Sequence, residues 1–225
     1  MATIAQWDIN NECNLNCKHC RVSEKNDNEK LSLNEAKNLL AQCWYNGITM
    51  LNLSGGEPFL RKDIFDILDY AGKFEDIVIT TNGTLLDEDK CKKLSIYNNI
   101  KLSISLDGLE ETHDKFRRKQ GAFKKVIDTL PLLNKYNIKY AIKYTLSKET
   151  SKDAIELLNF IAKMGAKEFN VRRVIVAGNA SKDMVLSNEE YKNIIRELIQ
   201  NCRKLDVKFR TGDPLLIPIF SEVWG

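Results

Sequence analysis

Short apolar runs of strand character alternate along this chain with longer amphipathic segments, and that rhythm leaves few folds open to it. Strand patterns cover Thr3 to Asp8, Ile48 to Leu53, Asp76 to Thr80, Ile100 to Leu106, Lys139 to Thr145, Glu168 to Val176 and Val207 to Arg210. Between them lie helical patterns near Lys62 to Gly72, Asp87 to Leu94, Ala122 to Tyr136, Lys152 to Met164 and Ser187 to Leu205. An earlier helix opens at Leu31-Ser-Leu-Asn-Glu, where Ser32 and Glu35 have capping-box spacing, and Gly47 closes it. Pro131 falls late in its helix, where it shortens or kinks it. Strands that alternate with helices pair in parallel through crossovers, so the chain forms a barrel or an open doubly wound sheet. Six or so units in this length predict an α/β fold, a partial (β/α)6 TIM-like barrel over residues 1–211, with 212–225 as a separate C-terminal segment.

Charge narrows the partners. The 34 basic and 31 acidic residues are mixed along the sequence, and the net charge of +3 gives no electrostatic case for nucleic acid or an anionic membrane. No apolar stretch approaches the length of a membrane span, and Met1-Ala-Thr-Ile lacks the basic-then-apolar pattern of an export signal. A soluble, cytoplasmic protein is expected, in a reducing compartment.

In a parallel barrel, ligands collect where strands end and lead into the following helices. Four motifs fall at such ends: the cysteines after the first strand, Gly55-Gly56-Glu57-Pro58 after the second, Thr81-Asn82-Gly83 after the third, and Ser105 to Gly108 at the fourth. The first of them, Cys13-Asn-Leu-Asn-Cys17-Lys-His-Cys20, places three thiols within eight residues. Three thiolates can hold three irons of a [4Fe-4S] cluster and leave the fourth open, whereas a cluster that only carries electrons normally has a fourth cysteine. Zinc is the competing reading, but it wants a fourth ligand, and Cys43, Cys91 and Cys202 are isolated and read as small buried hydrophobes. Incidental thiols are the other alternative, and a disulfide framework does not suit a chain without an export signal. Paired glycines let backbone come close to a ligand, although such a pair is also a common turn. Asn82 and Asp107 likewise stand in Asn-Gly and Asp-Gly turn pairs. Arg117 lies in a basic run from Lys115 to Lys119, and His113 stands at a helix start, where a cap or surface role suits it.

Taken together, C-x3-C-x2-C and the later Gly-Gly-Glu-Pro resemble the signature of radical S-adenosylmethionine (SAM) enzymes. Ser105-Leu-Asp-Gly108, His113-Asp-Lys-Phe-Arg117 and Gly121-Ala-Phe resemble the peptide-modifying branch of that superfamily, which includes anaerobic sulfatase-maturing enzymes and ribosomal-peptide maturases. The resemblance covers the chain strongly through Gly121 and loosely after it. It implies that Cys13, Cys17 and Cys20 are the catalytic cluster ligands. It also implies that Gly55, Gly56, Glu57 and Pro58 receive the methionyl amino group, that Ser105 and Arg117 contact SAM, and that Asn82 and Asp107 lie on its adenosine side. His19 then packs beside the cluster, and whichever of Arg172 and Arg173 turns inward faces SAM or substrate.

What the resemblance implies chemically is an oxygen-sensitive oxidoreductase. A reduced cluster cleaves SAM to methionine and a 5'-deoxyadenosyl radical, which abstracts hydrogen from a peptide or protein side chain, with electrons from an external donor such as flavodoxin or ferredoxin. The same chemistry on a small molecule, a nucleotide or cofactor precursor, is the alternative, and a non-catalytic iron-sulfur sensor or binding module is a reading from another class. Members of the peptide-modifying branch usually continue into an extension with cysteines for auxiliary clusters. Gly212-Asp-Pro-Leu215 resembles the hand-over to it, but no cysteine follows before Trp224-Gly225, so either an excised core or a compact one-cluster member is expected.

Overall fold

The computed structural model describes residues 3–22, 30–213 and 216. Within them seven strands, β1 (Ile4–Asp8), β2 (Met50–Ser54), β3 (Asp76–Thr81), β4 (Ile100–Ser105), β5 (Lys139–Leu146), β6 (Glu168–Arg173) and β7 (Lys208–Thr211), follow one another in sheet order. The pairs β1–β2, β2–β3, β3–β4, β5–β6 and β6–β7 are parallel. Helices α1 (Leu33–Tyr45), α2 (Ile64–Ala71), α3 (Glu88–Leu94), α4 (Glu110–Arg117), α5 (Ala122–Lys135), α6 (Ala154–Lys163) and α7 (Asn188–Lys204) intervene. This is the expected parallel α/β arrangement, with a seventh strand closing the series.

The chain divides into two compact units. The first comprises residues 1–14, 24–104 and 128–139, and the second 15–23, 105–127 and 140–225. In the first, alternate residues of β2, β3 and β4 (Leu51, Leu53, Ile77, Ile79, Leu102) are buried with Ile67 and Leu68 of α2. Period-two burial on the strands and period-3.6 burial on the helix are what the sequence pattern demands. The capping box of α1 forms, with Ser32 Oγ accepting from Glu35 N and the Glu35 carboxylate from Ser32 N. In the second unit, the Tyr144 and Phe169 rings meet tilted at 5.3 Å, and Leu157, Leu158 and Ile161 of α6 and Ile195, Leu198 and Ile199 of α7 are buried. Ser187 and Glu190 cap α7 with the same box.

Several boundaries differ from expectation. β6 stops at Arg173 rather than Val176, and Pro131 is accommodated inside α5. α4 ends at Arg118 in the left-handed conformation (φ 53°). Cys91 and Cys202 are buried as expected, but Cys43 is partly exposed, because its neighbours on α1 include the solvent-facing Trp44 and Tyr45. Among the described residues no helix is long and apolar enough to cross a membrane. Most of the expected C-terminal segment, Pro214, Leu215 and residues 217–225, lies outside the described residues.

Candidate active site

Cys13 belongs to the first unit, and Cys17 and Cys20 to the second. In the first unit, the turn after β2 grips the chain just before Cys13. Gly56 N donates to Asn10 O (2.8 Å), Glu57 N to Glu12 O (2.7 Å), and Asn10 Nδ2 to Glu57 O (2.9 Å). The paired glycines are there to allow this approach. A Cβ on Gly55 (φ 139°) would lie 2.3 Å from Asn10 O, and one on Gly56 2.0 Å from Glu12 O. The close backbone approach that Gly-Gly signals in the sequence is thus made by the chain's own cysteine loop.

Glu57 is fully buried, and its carboxylate accepts from Phe59 N (3.1 Å), Thr81 Oγ1 (2.7 Å) and Asn82 N (2.7 Å). It therefore ties the end of β2 to the end of β3. Pro58 opens a short 3-10 turn, Pro58–Leu60, packed in the interior. Asn82 directs its amide at Cys13 Sγ (3.9 Å) and Asn14 Oδ1 (2.9 Å), while its own Oδ1 accepts from Thr84 N and Oγ1. Sequence reading passed over Arg61, which is buried and donates to Ile9 O (2.8 Å) and Leu31 O (2.7 Å) while paired with Asp63. A single arginine five residues past a glycine pair carries no pattern that announces this role.

In the second unit, Arg117 lies on the last turn of α4, with Nη1 3.6 Å from Cys17 Sγ and Nη2 in an ion pair with Asp107. Asp107 is fully buried, accepts from Thr145 N (2.7 Å), and donates its own N–H to His113 Nδ1 (3.0 Å). Burial pushes the Asp107 carboxyl up, but the Arg117 guanidinium outweighs it and holds the pKa below the usual aspartate value. Burial works against the Arg117 charge, which Asp107 and Cys17 more than restore. His113 is buried at 1% exposure, so the surface role expected for it does not hold. Burial, then the nearby Arg117 charge, lowers its pKa to about 4. It is a neutral imidazole that anchors the Asp107 backbone. Ser105 ends β4, buried at 8% exposure.

The cysteine loop is held from two sides within this unit. His19 stacks on Phe116 (4.5 Å, 10° between planes), and burial with the Arg117 charge lowers its pKa to about 4. Lys18 N donates to Phe116 O, and Lys18 Nζ pairs with Glu149 at 2.8 Å. On the other side Asn179 donates its backbone N–H to Cys20 O (2.8 Å) and its amide to Cys17 O (3.1 Å). Gly178 (φ 58°) stands where a Cβ would meet Cys20 O at 2.3 Å. Sequence reading missed Gly178 and Asn179, and only their turn-forming residue types mark them.

On β6 the two arginines part company. Arg173 lies over the Tyr191 ring of α7 (4.1 Å) and reaches Asp213, so it faces the helix side. Arg172 points to the opposite face, which it shares with Lys143 of the neighbouring strand, through the pairings Lys143↔Asn170 and Thr145↔Arg172.

All six cysteines are thiols rather than disulfides. Among the described residues no three His, Cys, Asp or Glu side chains converge as they must around a single metal ion. Thiolates that each bind a different iron of a cluster need not converge in that way. The surroundings of two of them suit thiolate ligands, since Asn82 and Arg117 aim N–H donors at Cys13 and Cys17. Arg117 also keeps a buried Nε without a hydrogen-bond partner, a donor still available to a bound anion.

The family model described as Radical SAM superfamily matches residues 7–161. An Fe-coproporphyrin III synthase of Methanosarcina barkeri is 34% identical over 212 residues, covering 91% of this chain and 53% of that protein. An AdoMet-dependent heme synthase of the same organism is 33% identical over 195 residues, with 84% and 55% covered. The chain spans about half the length of these curated relatives. Among solved structures, Streptococcus suis SuiB bound to precursor peptide SuiA superimposes with a TM-score of 0.85 over 99% of this chain and 52% of that one, at 19% identity, a likeness of fold.

Proposed function

This chain belongs to the radical SAM superfamily, whose enzymes use a [4Fe-4S] cluster and SAM, and from that premise we propose that Cys13, Cys17 and Cys20 hold the cluster and that the chain serves hydrogen abstraction from a peptide or protein side chain. The observation that carries this reading is the Arg117 guanidinium against Cys17 Sγ, held there by the buried Asp107. When bound, the cluster and SAM together supply a one-electron reductive cleavage that yields methionine and a 5'-deoxyadenosyl radical able to take hydrogen from carbon.

The chain's own residues bind, position and exclude water. Arg117 keeps its charge under burial and offers Nε to the SAM carboxylate, while Ser105 at the end of β4 suits the ribose. Asn82 and Asp107 position the adenosine side. Glu57 fixes the turn in which Gly55, Gly56 and Pro58 present backbone to the methionyl ammonium. His113, neutral and with its Nδ1 occupied as an acceptor, holds the Asp107 backbone in place.

A peptide substrate is supported by the fold shared with SuiB, which was solved with its precursor peptide. The 34% identical Fe-coproporphyrin III synthase favours a second reading, the same chemistry on a small molecule. An external one-electron donor serves either. The test is anaerobic reconstitution with iron and sulfide, then SAM and dithionite, with 5'-deoxyadenosine as the readout. An intact cluster that never cleaves SAM overturns both enzyme readings. Deuterium carried into 5'-deoxyadenosine from a side-chain-labelled peptide supports the first substrate reading, and transfer only from a labelled small molecule replaces it with the second.

A further inference from the structure

The inner face of β5 and β6 carries more positive charge than the proposed cluster and SAM contacts account for. Lys143 and Arg172 project from it on neighbouring strands, diagonal to one another through Thr145↔Arg172. Arg21 and Arg117 add their charges to the surroundings of Lys143. Among the described residues, the acids that could answer them are already engaged. Asp107 is turned to Arg117 and Thr145 N, Glu149 to Lys18, Glu168 to Arg210, Asp213 to Arg173, and Asp153 to Leu109 N. Among the described residues neither Lys143 nor Arg172 has a hydrogen-bonded or ion-paired acid. Burial, and then the repulsion of Arg172, lowers the Lys143 pKa to about 8.

Two further details show that this face is shaped. Gly212 lies where a Cβ would come 1.9 Å from Arg172 Nη1, so the absence of a side chain there lets the guanidinium lie against the backbone after β7. Asn170, the register partner of Lys143, keeps a buried Oδ1 with no hydrogen-bond partner. A lysine ammonium and a solvent-exposed guanidinium with no acid partner among the described residues can take an anion, and the Asn170 Oδ1 beside them can accept from a hydroxyl or amine of the same ligand.

We propose that Lys143 and Arg172 form a subsite for an anionic group of the substrate, a carboxylate or phosphate, distinct from the place where SAM binds. This rests on the radical SAM reading and adds to it that the substrate is acidic. It places that group at the C-terminal half of β5 and β6, where barrel ligands collect.

The experiment is calorimetric titration of the reconstituted protein with succinate and with inorganic phosphate, each with and without saturating SAM, on wild type, Lys143→Met, Arg172→Gln and the control Lys167→Met. Lys167 is an exposed residue that removes the same charge elsewhere in the unit. Wild type and Lys167→Met are expected to bind one or both probes, and each subsite variant about tenfold more weakly, the loss of one charge-assisted hydrogen bond. Whichever probe binds more tightly assigns carboxylate or phosphate. SAM affinity, titrated separately, should stay within about twofold in all four proteins and shows that the variants are folded. Three results overturn the proposal: no probe bound by wild type, equal probe affinity in the variants, or displacement of the probe by SAM, which would make this the SAM carboxylate site. Failure of wild type to cleave SAM would sink the parent reading and leave the probe result standing.

Discussion

Replacing Gly56 by alanine is the sharpest test of how the candidate site is built. The added methyl would sit 2.0 Å from Glu12 O and 2.5 Å from Glu12 C, both backbone atoms that cannot turn aside as a flexible side chain can. Relief requires moving the loop that leads into Cys13, which strains or breaks Gly56 N to Asn10 O and Glu57 N to Glu12 O. Overpacking costs about 1–3 kcal/mol, and two backbone hydrogen bonds add about 1 kcal/mol each, so a loss of roughly 3–5 kcal/mol is expected. For a chain of this size that lowers Tm by about 6–20 °C. Gly72→Ala is the milder control, because its Cβ meets Asp69 O at 3.3 Å, a tight contact that a shift of a few tenths of an ångström relieves, in right-handed helical backbone, and it should change stability by no more than about 1 kcal/mol. Urea unfolding without oxygen gives the stabilities, and iron per chain after reconstitution reports the loop. If Gly56→Ala unfolds within about 0.5 kcal/mol of wild type and takes up iron equally, the loop does not depend on this contact, and the account of the glycine pair is wrong.

Four other outcomes are expected. Arg117→Met, which strands the buried Asp107 carboxylate, should cost about 3–5 kcal/mol, and adding Asp107→Asn should recover part of it; a strictly additive double-mutant cycle in denaturant would refute the coupling. Asn179→Ala removes the amide bond to Cys17 O but leaves the backbone bond to Cys20 O, so it should cost about 1 kcal/mol and speed iron loss to a chelator, measured by absorbance. Cys13→Ala, Cys17→Ala and Cys20→Ala should each abolish stable iron uptake, while Cys91→Ala and Cys202→Ala retain it, as read by iron analysis. Asp87 caps α3 through Lys90 N, and its hydrogen bond from Lys90 holds its folded pKa down. The stabilisation from Asp87 is therefore present above the unfolded aspartate pKa and lost as pH falls through the folded one. Asp87→Ala should cost about 1 kcal/mol at neutral pH, and unfolding curves should converge with wild type in acid.

The parts of this chain that could be read in advance are those whose cause is local. Ser32 with Glu35 spells a cap in four letters, and the strands of the sheet core carry their own period-two signal in residues such as Leu51, Leu53, Ile77 and Ile79. The three-cysteine motif stood out because its spacing is itself sequence-local. What escaped depends on partners far along the chain. Nothing near Gly55 and Gly56 says that their neighbour is the loop at Asn10 to Glu12, and nothing near His113 says that it will be buried against the Asp107 backbone. Arg172 and Arg173 are adjacent letters of one kind, and only the strand pleat and the position of Tyr191 separate the cation on the shared face with Lys143 from the one clamped to a helix. Lys143 passed as an ordinary strand residue because a cation with no acid partner among the described residues can be recognised only once the acids around it are seen to be taken.

The clasp of Asn179 on Cys17 spans 162 positions of sequence. During synthesis the thiols leave the ribosome first and the residue that steadies their loop emerges roughly 8–30 s later, at elongation rates of about 5–20 residues per second. Throughout that interval the thiols sit in a nascent chain that has no finished loop to offer iron. A ribosome stalled short of the Asn179 segment would hold a chain that displays its cysteines without the clasp that steadies their loop.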